Sequence, residues 1–115
     1  MVRDYRDVSA VPVEGKPGVA MRMVIGEADG APDFIMRVFE LQSDARTHLH
    51  THWQEHEVFV LAGQGAVRTE AGETPIGPGS VVFVPSNEPH QLLNRGEDVL
   101  RFVCLIPVEK RQAEA

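Results

Sequence analysis

The stretch HLHTHWQEH holds four of the chain's five histidines, which are His48, His50, His52 and His56. Imidazole is the commonest metal-binding side chain and the only one whose ordinary pKa lies near neutrality. In a strand, side chains two positions apart share a face, so His50 and His52 would point to one place. A bound metal needs at least three ligands, usually including one from a distant segment, and His90 is the only histidine outside this stretch. The histidines therefore predict a metal site, and the alternative is a chance cluster of exposed histidines.

The composition of this 115-residue chain is that of a single globular domain, with 43% hydrophobic and 24% charged residues. The formal net charge of -6 and the lack of a Lys or Arg run give no reason to expect a nucleic acid partner. The single cysteine, Cys104, excludes an intramolecular disulfide and a site built from several thiolates. No apolar stretch approaches the roughly 18–20 residues of a membrane span, and the start lacks the apolar segment of a secretory signal. We expect a cytoplasmic protein without a membrane partner.

Short apolar runs, rich in β-branched and aromatic residues, alternate with turn-forming residues along the chain. The runs are VAMRMVIG, FIMRVFEL, EVFVLAG, GAVRTEAG, SVVFVP and VLRFVCLIP, and the turns between them include EAGE, PIGPG, PSNEP and NRGED. None of the runs repeats with the period of a helix, and short strands at this spacing are typical of an antiparallel sandwich or barrel. The sequence thus predicts one all-β domain over residues 1–115. We expect an N-terminal arm and first strand over about residues 1–18 and a polar tail at 108–115.

The run EVFVLAG is apolar on both faces of the strand that it predicts. Val58 and Val60 would point to one side, and Phe59 and Leu61 to the other. A strand of this kind needs cover on both faces. Because a barrel of this length has few spare elements, a second copy of the chain is the natural source of that cover. We therefore expect a homodimer.

The histidine-rich stretch resembles the first sequence motif of the cupin superfamily, G-x5-H-x-H-x(3,4)-E-x6-G. With His50 and His52 as the HxH pair, His56 falls at the glutamate position and Gly63 at the final glycine. Two departures are present. Asp44 replaces the opening glycine, and a histidine replaces the glutamate. The first concerns a turn, where Asp tolerates the left-handed backbone conformation, but the second changes the chemistry of the site.

The second cupin motif, G-x5-P-x-G-x2-H-x3-N, fits the segment around the isolated histidine. It runs from Gly79 through Pro85 and His90 to Asn94 with every spacing kept. Asn87 replaces the middle glycine, and Asn, like Asp, tolerates turn conformations. Both motifs are therefore present, and the resemblance covers nearly the whole chain.

Other alignments of the first motif fit less well. Glu57 as the third ligand leaves one residue too few before Gly63. Pairing His48 with His50 would place Leu61 where the motif has glycine. His48 is thus predicted to lie outside the ligand set, as an exposed residue or an outer partner of a ligand.

The chain is most similar in pattern to the small, single-domain manganese cupins that have four histidine ligands. The resemblance implies a double-stranded β-helix, or jelly roll, that is usually dimeric and holds one divalent metal inside one end of the barrel. The implied ligands are His50, His52, His56 and His90. Manganese or iron is implied by the resemblance, while imidazole chemistry also suits copper, nickel and zinc. Four neutral imidazoles would leave the full 2+ charge on the metal and two open positions, whereas a closed structural zinc site is the alternative.

Alternation in VLRFVCLIP predicts which side chains line the metal pocket. With Arg101 facing outward, Phe102, Cys104 and Ile106 face the barrel interior. The resemblance likewise implies that this strand borders the pocket. Cys104 is predicted as a small buried apolar residue, with metal ligation as the alternative.

Three further residues are candidates for a role near the pocket. Arg37 is the one charge in FIMRVF, and it is either an outward residue or a pocket cation that holds an anionic substrate or orients a neighbour. Trp53 would shield the metal from water or pack at a dimer interface. Asn94 is predicted to fix the turn after His90.

The sequence favours an enzyme over a binding module. The leading hypothesis is a metal-dependent oxidoreductase of the dioxygenase type, with a small organic substrate and dioxygen as partners. In the resembling cupins such chemistry includes oxidative cleavage of carbon–carbon bonds. A redox-neutral isomerase or lyase acting on a small sugar acid is the alternative enzyme. A non-enzymatic protein that binds a small molecule is the third hypothesis.

Overall fold

The computed structural model describes residues 1–49 and 51–109, which form two antiparallel β-sheets. In this part of the chain the strands are β1 (Val11–Pro12), β2 (Val19–Ile25), β3 (Phe34–Leu41), β4 (His56–Ala62), β5 (Gly65–Thr69), β6 (Gly72–Ile76), β7 (Val81–Val84), β8 (His90–Asn94) and β9 (Leu100–Pro107). Two 3-10 helices of three residues each, Tyr5–Asp7 and Glu27–Asp29, lie outside the sheets. The predicted all-β class is confirmed.

One sheet has six strands in the order β1-β2-β3-β9-β4-β7, and the other has three in the order β6-β5-β8. Because β9 pairs with both β3 and β4, the last strand of the fold joins its first half to its second. The core lies between the sheets, and its most completely buried large side chains are Phe102, Leu41, Leu100, Val60 and Val84. This is the layered arrangement of a jelly roll.

Alternation along β4 and β9 follows the predicted pattern. Val58 and Val60 are buried, whereas Phe59 and Leu61 are exposed. In β9, Phe102, Cys104 and Ile106 are buried, while Arg101, Val103 and Leu105 are partly exposed. The prediction that alternate side chains of both runs face opposite sides of the sheet is thus confirmed.

Two strands were not among the predicted runs. EAGE and PIGPG were predicted to be turns, and this was wrong for Gly72–Ile76, which forms β6 at the edge of the smaller sheet. Its sequence is polar and carries Pro75, which an edge strand tolerates because one side of that strand needs no hydrogen bonds. The strand His90–Asn94 is short, and its flanking turns hid it, although all five of its residues are buried.

The histidine-rich stretch is not a strand before His56. Residues 47–49 and 51–55 have irregular backbone, so the expectation that His52 lies in a strand was wrong. Its placement relative to His50 lies outside the described residues. The segment is instead held against β8: the Thr47 N–H donates to the Leu92 carbonyl at 2.9 Å, and the Leu92 N–H donates to Thr47 Oγ1 at 3.0 Å. These isolated hydrogen bonds hold Thr47 against β8 without the regular hydrogen-bond ladder of a paired strand.

Asp44 and Asn87, which stand where the cupin motifs have glycine, both adopt the left-handed backbone conformation. Their φ angles are 66° and 64°, and they are the non-glycine residues with positive φ among those described. Asp and Asn enter this region more readily than other L-residues. The turns that the motifs require are therefore present without their glycines.

The described segments near the two ends of the chain are joined to the rest of the fold by backbone hydrogen bonds. The predicted N-terminal arm and first strand contain β1, which pairs with β2. Of the predicted polar tail, Val108 donates its N–H to the Asp33 carbonyl at 2.8 Å, and residues 110–115 lie outside the described part. Within residues 1–49 and 51–109, no helix has the length and apolar character needed to cross a membrane.

Candidate metal centre

Three imidazoles converge at one end of the barrel. His52, His56 and His90 each offer a ring nitrogen, and these atoms lie within 4.8 Å of one another. Nε2 of His52 and Nε2 of His56 are 2.7 Å apart. His56 and His90 are buried, and His52 is half-buried. This set contains three of the four predicted ligands.

Each of the three is positioned by a different element, and together they connect the two sheets. His56 is the first residue of β4 in the larger sheet, and His90 is the first residue of β8 in the smaller one. His52 lies in the loop before β4, where its carbonyl accepts a hydrogen bond from the Asn87 N–H at 2.7 Å. The left-handed turn of the second motif therefore holds the loop of the first.

Backbone carbonyls determine which nitrogen of two rings carries the proton. His52 Nδ1 lies 3.0 Å from the Gln54 carbonyl oxygen, and His90 Nδ1 lies 2.9 Å from that of Glu88. Because a carbonyl can only accept, each Nδ1 must donate, which leaves a lone pair on Nε2. An outer hydrogen bond of this kind is the usual way in which a metal-binding histidine is oriented.

The third ring has a sulfur atom as its outer partner. His56 Nδ1 lies 3.1 Å from Cys104 Sγ, and the same sulfur accepts a hydrogen bond from Arg37 Nη2 at 3.2 Å. Burial raises the pKa of the Cys104 thiol, although the neighbouring Arg37 acts in the opposite direction. Cys104 is therefore a buried residue whose sulfur contacts both a candidate metal ligand, His56, and the cation of Arg37.

The surroundings of His52 favour its neutral form by lowering its pKa. Burial lowers the pKa of His52, and the charges of His90 and Arg37 lower it further. A histidine whose pKa is lowered keeps its lone pair available at neutral pH, as a metal ligand must.

The arrangement fits a bound cation. Two ring nitrogens 2.7 Å apart are held together by a shared proton or by a metal ion, since two lone pairs facing each other would repel. The third imidazole beside them, with its own proton committed to the Glu88 carbonyl, favours a metal ion. Three nitrogen donors without a carboxylate suit a divalent transition metal.

The other histidines have different outcomes. His50, predicted as a fourth ligand, lies outside the described residues, and its part in the site stays a prediction. His48 is exposed and borders the cavity, but it is not one of the three clustered histidines.

A cavity of about 350 Å³ opens beside the three histidines. This is within the range of small-molecule binding sites. Its apolar wall comes from both sheets and consists of Val13, Val19, Met21, Phe39, Val58, Val84, Leu92, Phe102 and Ile106. The cavity thus joins a polar cluster of donors to an apolar chamber, and Cys104 lies between them in the wall.

Of the three further candidates, one borders the cavity, one is exposed away from it and one stabilises a turn. Arg37 lies on the cavity side of β3, so the pocket alternative, and not the outward one, describes its position. The Trp53 side chain is exposed and is not among the residues that line the cavity. Asn94 fixes the turn after β8 as predicted, because its Nδ2 donates to the carbonyls of Leu41 and Asp98 at 2.9 and 2.8 Å.

Sequence reasoning missed the outer partners of the rings. The carbonyls of Gln54 and Glu88 are each two positions from the histidine that they orient, but a backbone oxygen has no signature in a sequence. Phe39 in the cavity wall was also missed, although its position two residues after Arg37 on the same strand could have indicated it.

Loss of the sulfur contact should weaken metal binding. Cys104→Ala leaves His56 Nδ1 without its described outer partner, and we expect the dissociation constant for Zn²⁺ or Co²⁺ to rise by about 10–100-fold. Competition with a chromophoric chelator measures this change. Cys104→Ser should recover part of the affinity because its hydroxyl can still accept the Nδ1–H. Ile106→Val, in the same wall, is the control, and an unchanged affinity in Cys104→Ala would show that the contact does not orient the ring.

Comparison with known proteins assigns this barrel to a class. The cupin domain family matches residues 37–106, which is more than half of the chain, and the chain therefore belongs to that family. The cupin resemblance and the jelly-roll fold predicted from the two motifs are thereby confirmed. The resemblance to four-histidine manganese cupins stays a prediction.

Three similar proteins indicate the range of the family around this chain. The polyketide cyclase RemF from Streptomyces resistomycificus is 31% identical, with 97% of this chain and 82% of that chain covered and a TM-score of 0.88. A predicted oxalate decarboxylase from Thermotoga maritima is 24% identical, with 95% of this chain and 100% of that chain covered and a TM-score of 0.84. At this identity the likeness supports a shared fold and nothing more. An oxalate-binding protein from the same organism is 36% identical over 59 residues, or 50% of this chain. The chain spans about half the length of the curated relatives it matches.

Proposed function

We propose that this cupin is a metal-dependent enzyme that acts at a carbonyl or enol oxygen of a small, mainly apolar organic molecule. The observation that carries the proposal is the placement of three convergent imidazoles at the wall of an apolar cavity. Polar donors beside an apolar chamber of this size are typical of a substrate site. A surface metal site or a purely structural one would not need the chamber.

His52, His56 and His90 would hold the metal, with His50 proposed as a fourth ligand on the evidence of its motif position. We propose manganese as the native ion, and iron, copper, nickel and zinc as ions that the same nitrogen donors accept. A divalent ion held there supplies Lewis-acid polarisation of a substrate oxygen and, for manganese or iron, redox chemistry with dioxygen.

The chain's own residues contribute in two ways. The apolar wall, which includes Phe39, Phe102 and Ile106, excludes water from the substrate's carbon skeleton. The Arg37 guanidinium adds positive charge on the same wall, which favours an enolate over its neutral ketone. Both effects act on the substrate and do not depend on the oxidation state of the ion.

We propose redox-neutral carbon–carbon bond chemistry as the leading reaction, for which ring closure of an enolisable ketone is the clearest example. The overall likeness to a polyketide cyclase, 31% identical over 97% of this chain, supports this choice. Enolisation transfers an α-proton to water or to a basic side chain, attack on the second carbonyl forms the carbon–carbon bond, and loss of water gives the enone. This sequence needs a polarised oxygen and no external oxidant.

Oxidative cleavage by a dioxygenase is the second candidate. It is favoured by His56, which stands where cupins usually have glutamate and makes all three clustered donors neutral. A neutral ligand set leaves the full charge on the metal and favours its lower oxidation state, from which dioxygen chemistry begins. A sugar acid is a poorer fit, because nine apolar side chains line the cavity.

An anaerobic assay separates these reactions. Protein loaded with Mn²⁺ is incubated under nitrogen in D2O with 2,6-heptanedione, and NMR follows deuterium entry at the α-carbons and loss of water to 3-methylcyclohex-2-enone. We expect exchange and ring closure that His56→Ala abolishes. Oxygen uptake with a 1,3-diketone or an aryl alkene, without anaerobic turnover, would instead establish the dioxygenase. If neither reaction occurs although the test substrates still bind to the protein, the protein is a binding module and the proposal is wrong.

We also propose that the active form is a homodimer, with a second copy covering the outer face of β4 and β7. Phe59, Val81 and Phe83 are 47%, 76% and 57% exposed on neighbouring strands of this face, and Val103 and Leu105 continue the apolar surface. Exposed apolar patches of this kind mark interaction sites. Because β7 is the edge of its sheet, a second copy can cover both the patch and the edge.

Charge placed in this patch should separate the subunits. Phe83→Lys is expected to convert a dimer to a monomer at micromolar concentration, as measured by light scattering after gel filtration. Phe34→Lys makes the same exchange at a phenylalanine that is 70% exposed on β3, and it should leave the dimer intact. A wild-type chain that is monomeric at 100 μM, about the level of an ordinary protein preparation, would contradict the proposal.

A further inference from the structure

The cavity wall holds an arginine that no described carboxylate neutralises. Arg37 is half-buried on β3, and its Nη2 donates to Cys104 Sγ at 3.2 Å. Its Nε is fully buried and has no hydrogen-bond partner in the part of the chain that the structure describes. The Cζ atom lies 4.9 Å from the centre of the Phe39 ring. A thiol and an aromatic ring fix the position of this guanidinium without cancelling its charge.

Two other arginines of the same sheet are treated differently. Arg22 on β2 and Arg101 on β9 both bond to Glu40, with nitrogen–oxygen distances of 3.1 and 2.8 Å. Burial raises the pKa of Glu40, but the hydrogen bonds from Arg101 and Arg22 outweigh it and hold the pKa below its ordinary value. Glu40 is therefore ionised and serves both cations. The fold thus supplies a carboxylate for these two half-buried arginines.

The cavity has a positive character in an acidic chain. Among the described residues that line it, the charged side chains are Arg37 and Lys16, and none is acidic, although the chain has a formal net charge of -6. A guanidinium has five N–H donors, and leaving the buried Nε–H of Arg37 without an acceptor costs free energy. An anionic group inside the cavity would meet both needs.

We propose that Arg37 is an anion-binding residue, and that the natural ligand of the cavity is a small apolar molecule carrying a carboxylate, enolate or phenolate oxygen. The proposal rests on the proposed function only in taking the cavity as the substrate site. Arg37 is favoured over Lys16 because the sulfur and the Phe39 ring orient its planar fork, whereas no such contact is found for the lysine among the described residues.

Matched ligands that differ in charge test this assignment without catalysis. We would measure binding of 2-naphthoate and 2-naphthamide to metal-free and to zinc-loaded protein by isothermal titration calorimetry. We expect 2-naphthoate to bind at least about 10-fold more tightly in both forms, as the loss of one charge-assisted hydrogen bond implies. Arg37→Met should abolish this preference in the metal-free form, where no metal ion can attract the carboxylate in its place. Naphthamide affinity should change little, since the apolar wall stays in place.

Two control variants each remove one positive charge at a position other than Arg37. Arg95→Met acts on the exposed surface and Lys16→Met at the cavity, and both should keep the preference for the anion. If Arg37→Met is not folded by circular dichroism, Arg37→Gln replaces it, with the same expectation. Equal binding of the two ligands by wild type, or loss of the preference in Lys16→Met but not in Arg37→Met, would overturn the assignment. A preference that survives in metal-free protein supports it even if no metal-dependent turnover is found.

Discussion

Replacement of His56 by alanine is expected to abolish tight metal binding. His56 contributes one of three ring nitrogens that lie within 4.8 Å of one another, so its loss leaves two donors from the cluster. Loss of an outer partner alone typically costs about 10–100-fold in affinity, and loss of a direct ligand should cost more. Elemental analysis of protein purified with and without added Mn²⁺ measures occupancy, and equilibrium titration gives the dissociation constant.

His48→Ala is the matched control for this experiment. His48 comes from the same histidine-rich stretch and borders the same cavity, but it is exposed and lies outside the cluster. We expect wild-type occupancy in this variant and strongly reduced occupancy in His90→Ala. Equal losses in His48→Ala and His56→Ala would show that the motif has been aligned in the wrong register.

Replacement of Gly63 by alanine is expected to have the largest effect on stability. Gly63 ends the first motif with a φ of +89°, and a Cβ atom there would lie 2.4 Å from the Val99 carbonyl oxygen and 2.7 Å from Leu100 Cα. The left-handed backbone costs a non-glycine residue about 1–2 kcal/mol. Displacing packed backbone adds about 1–3 kcal/mol. A loss near 3 kcal/mol should lower Tm by more than about 10 °C.

Gly79→Ala separates these two contributions. Gly79 has nearly the same φ, +88°, but a Cβ atom there would have no neighbour within 4 Å. Thermal and urea unfolding of the two variants should therefore differ by the cost of the close approach to β9 alone. If both variants lose the same free energy of unfolding, the close approach of Gly63 to Val99 does not contribute to the cost of a side chain at position 63.

The sequence predicted the sheet-forming segments where they are apolar and the turns where a special backbone conformation is needed. The alternation in β9 placed Phe102 and Cys104 correctly, because a strand between two layers allows only one side to face the core. Asp44 and Asn87 were predicted to replace glycines in turns, and both adopt positive φ. Such local features depend on residue type and can be inferred without the rest of the fold.

Features that depend on distant contacts could not be inferred. The loop around His52 was expected to be a strand, but its position is determined by hydrogen bonds to β8 and to the turn at Asn87. The cavity-facing position of Arg37 depends on where β9 places Cys104. Neither partner is close in sequence, so no local pattern could show the contact.

We propose that His52, His56 and His90 form a metal centre at the wall of the apolar cavity. Anomalous diffraction from crystals grown with saturating Mn²⁺, recorded near the manganese absorption edge, tests it most directly. We predict one strong peak within about 2.0–2.3 Å of the Nε2 atoms of all three histidines. Full-occupancy binding elsewhere, or no peak among these rings with manganese, iron or zinc, would contradict the account.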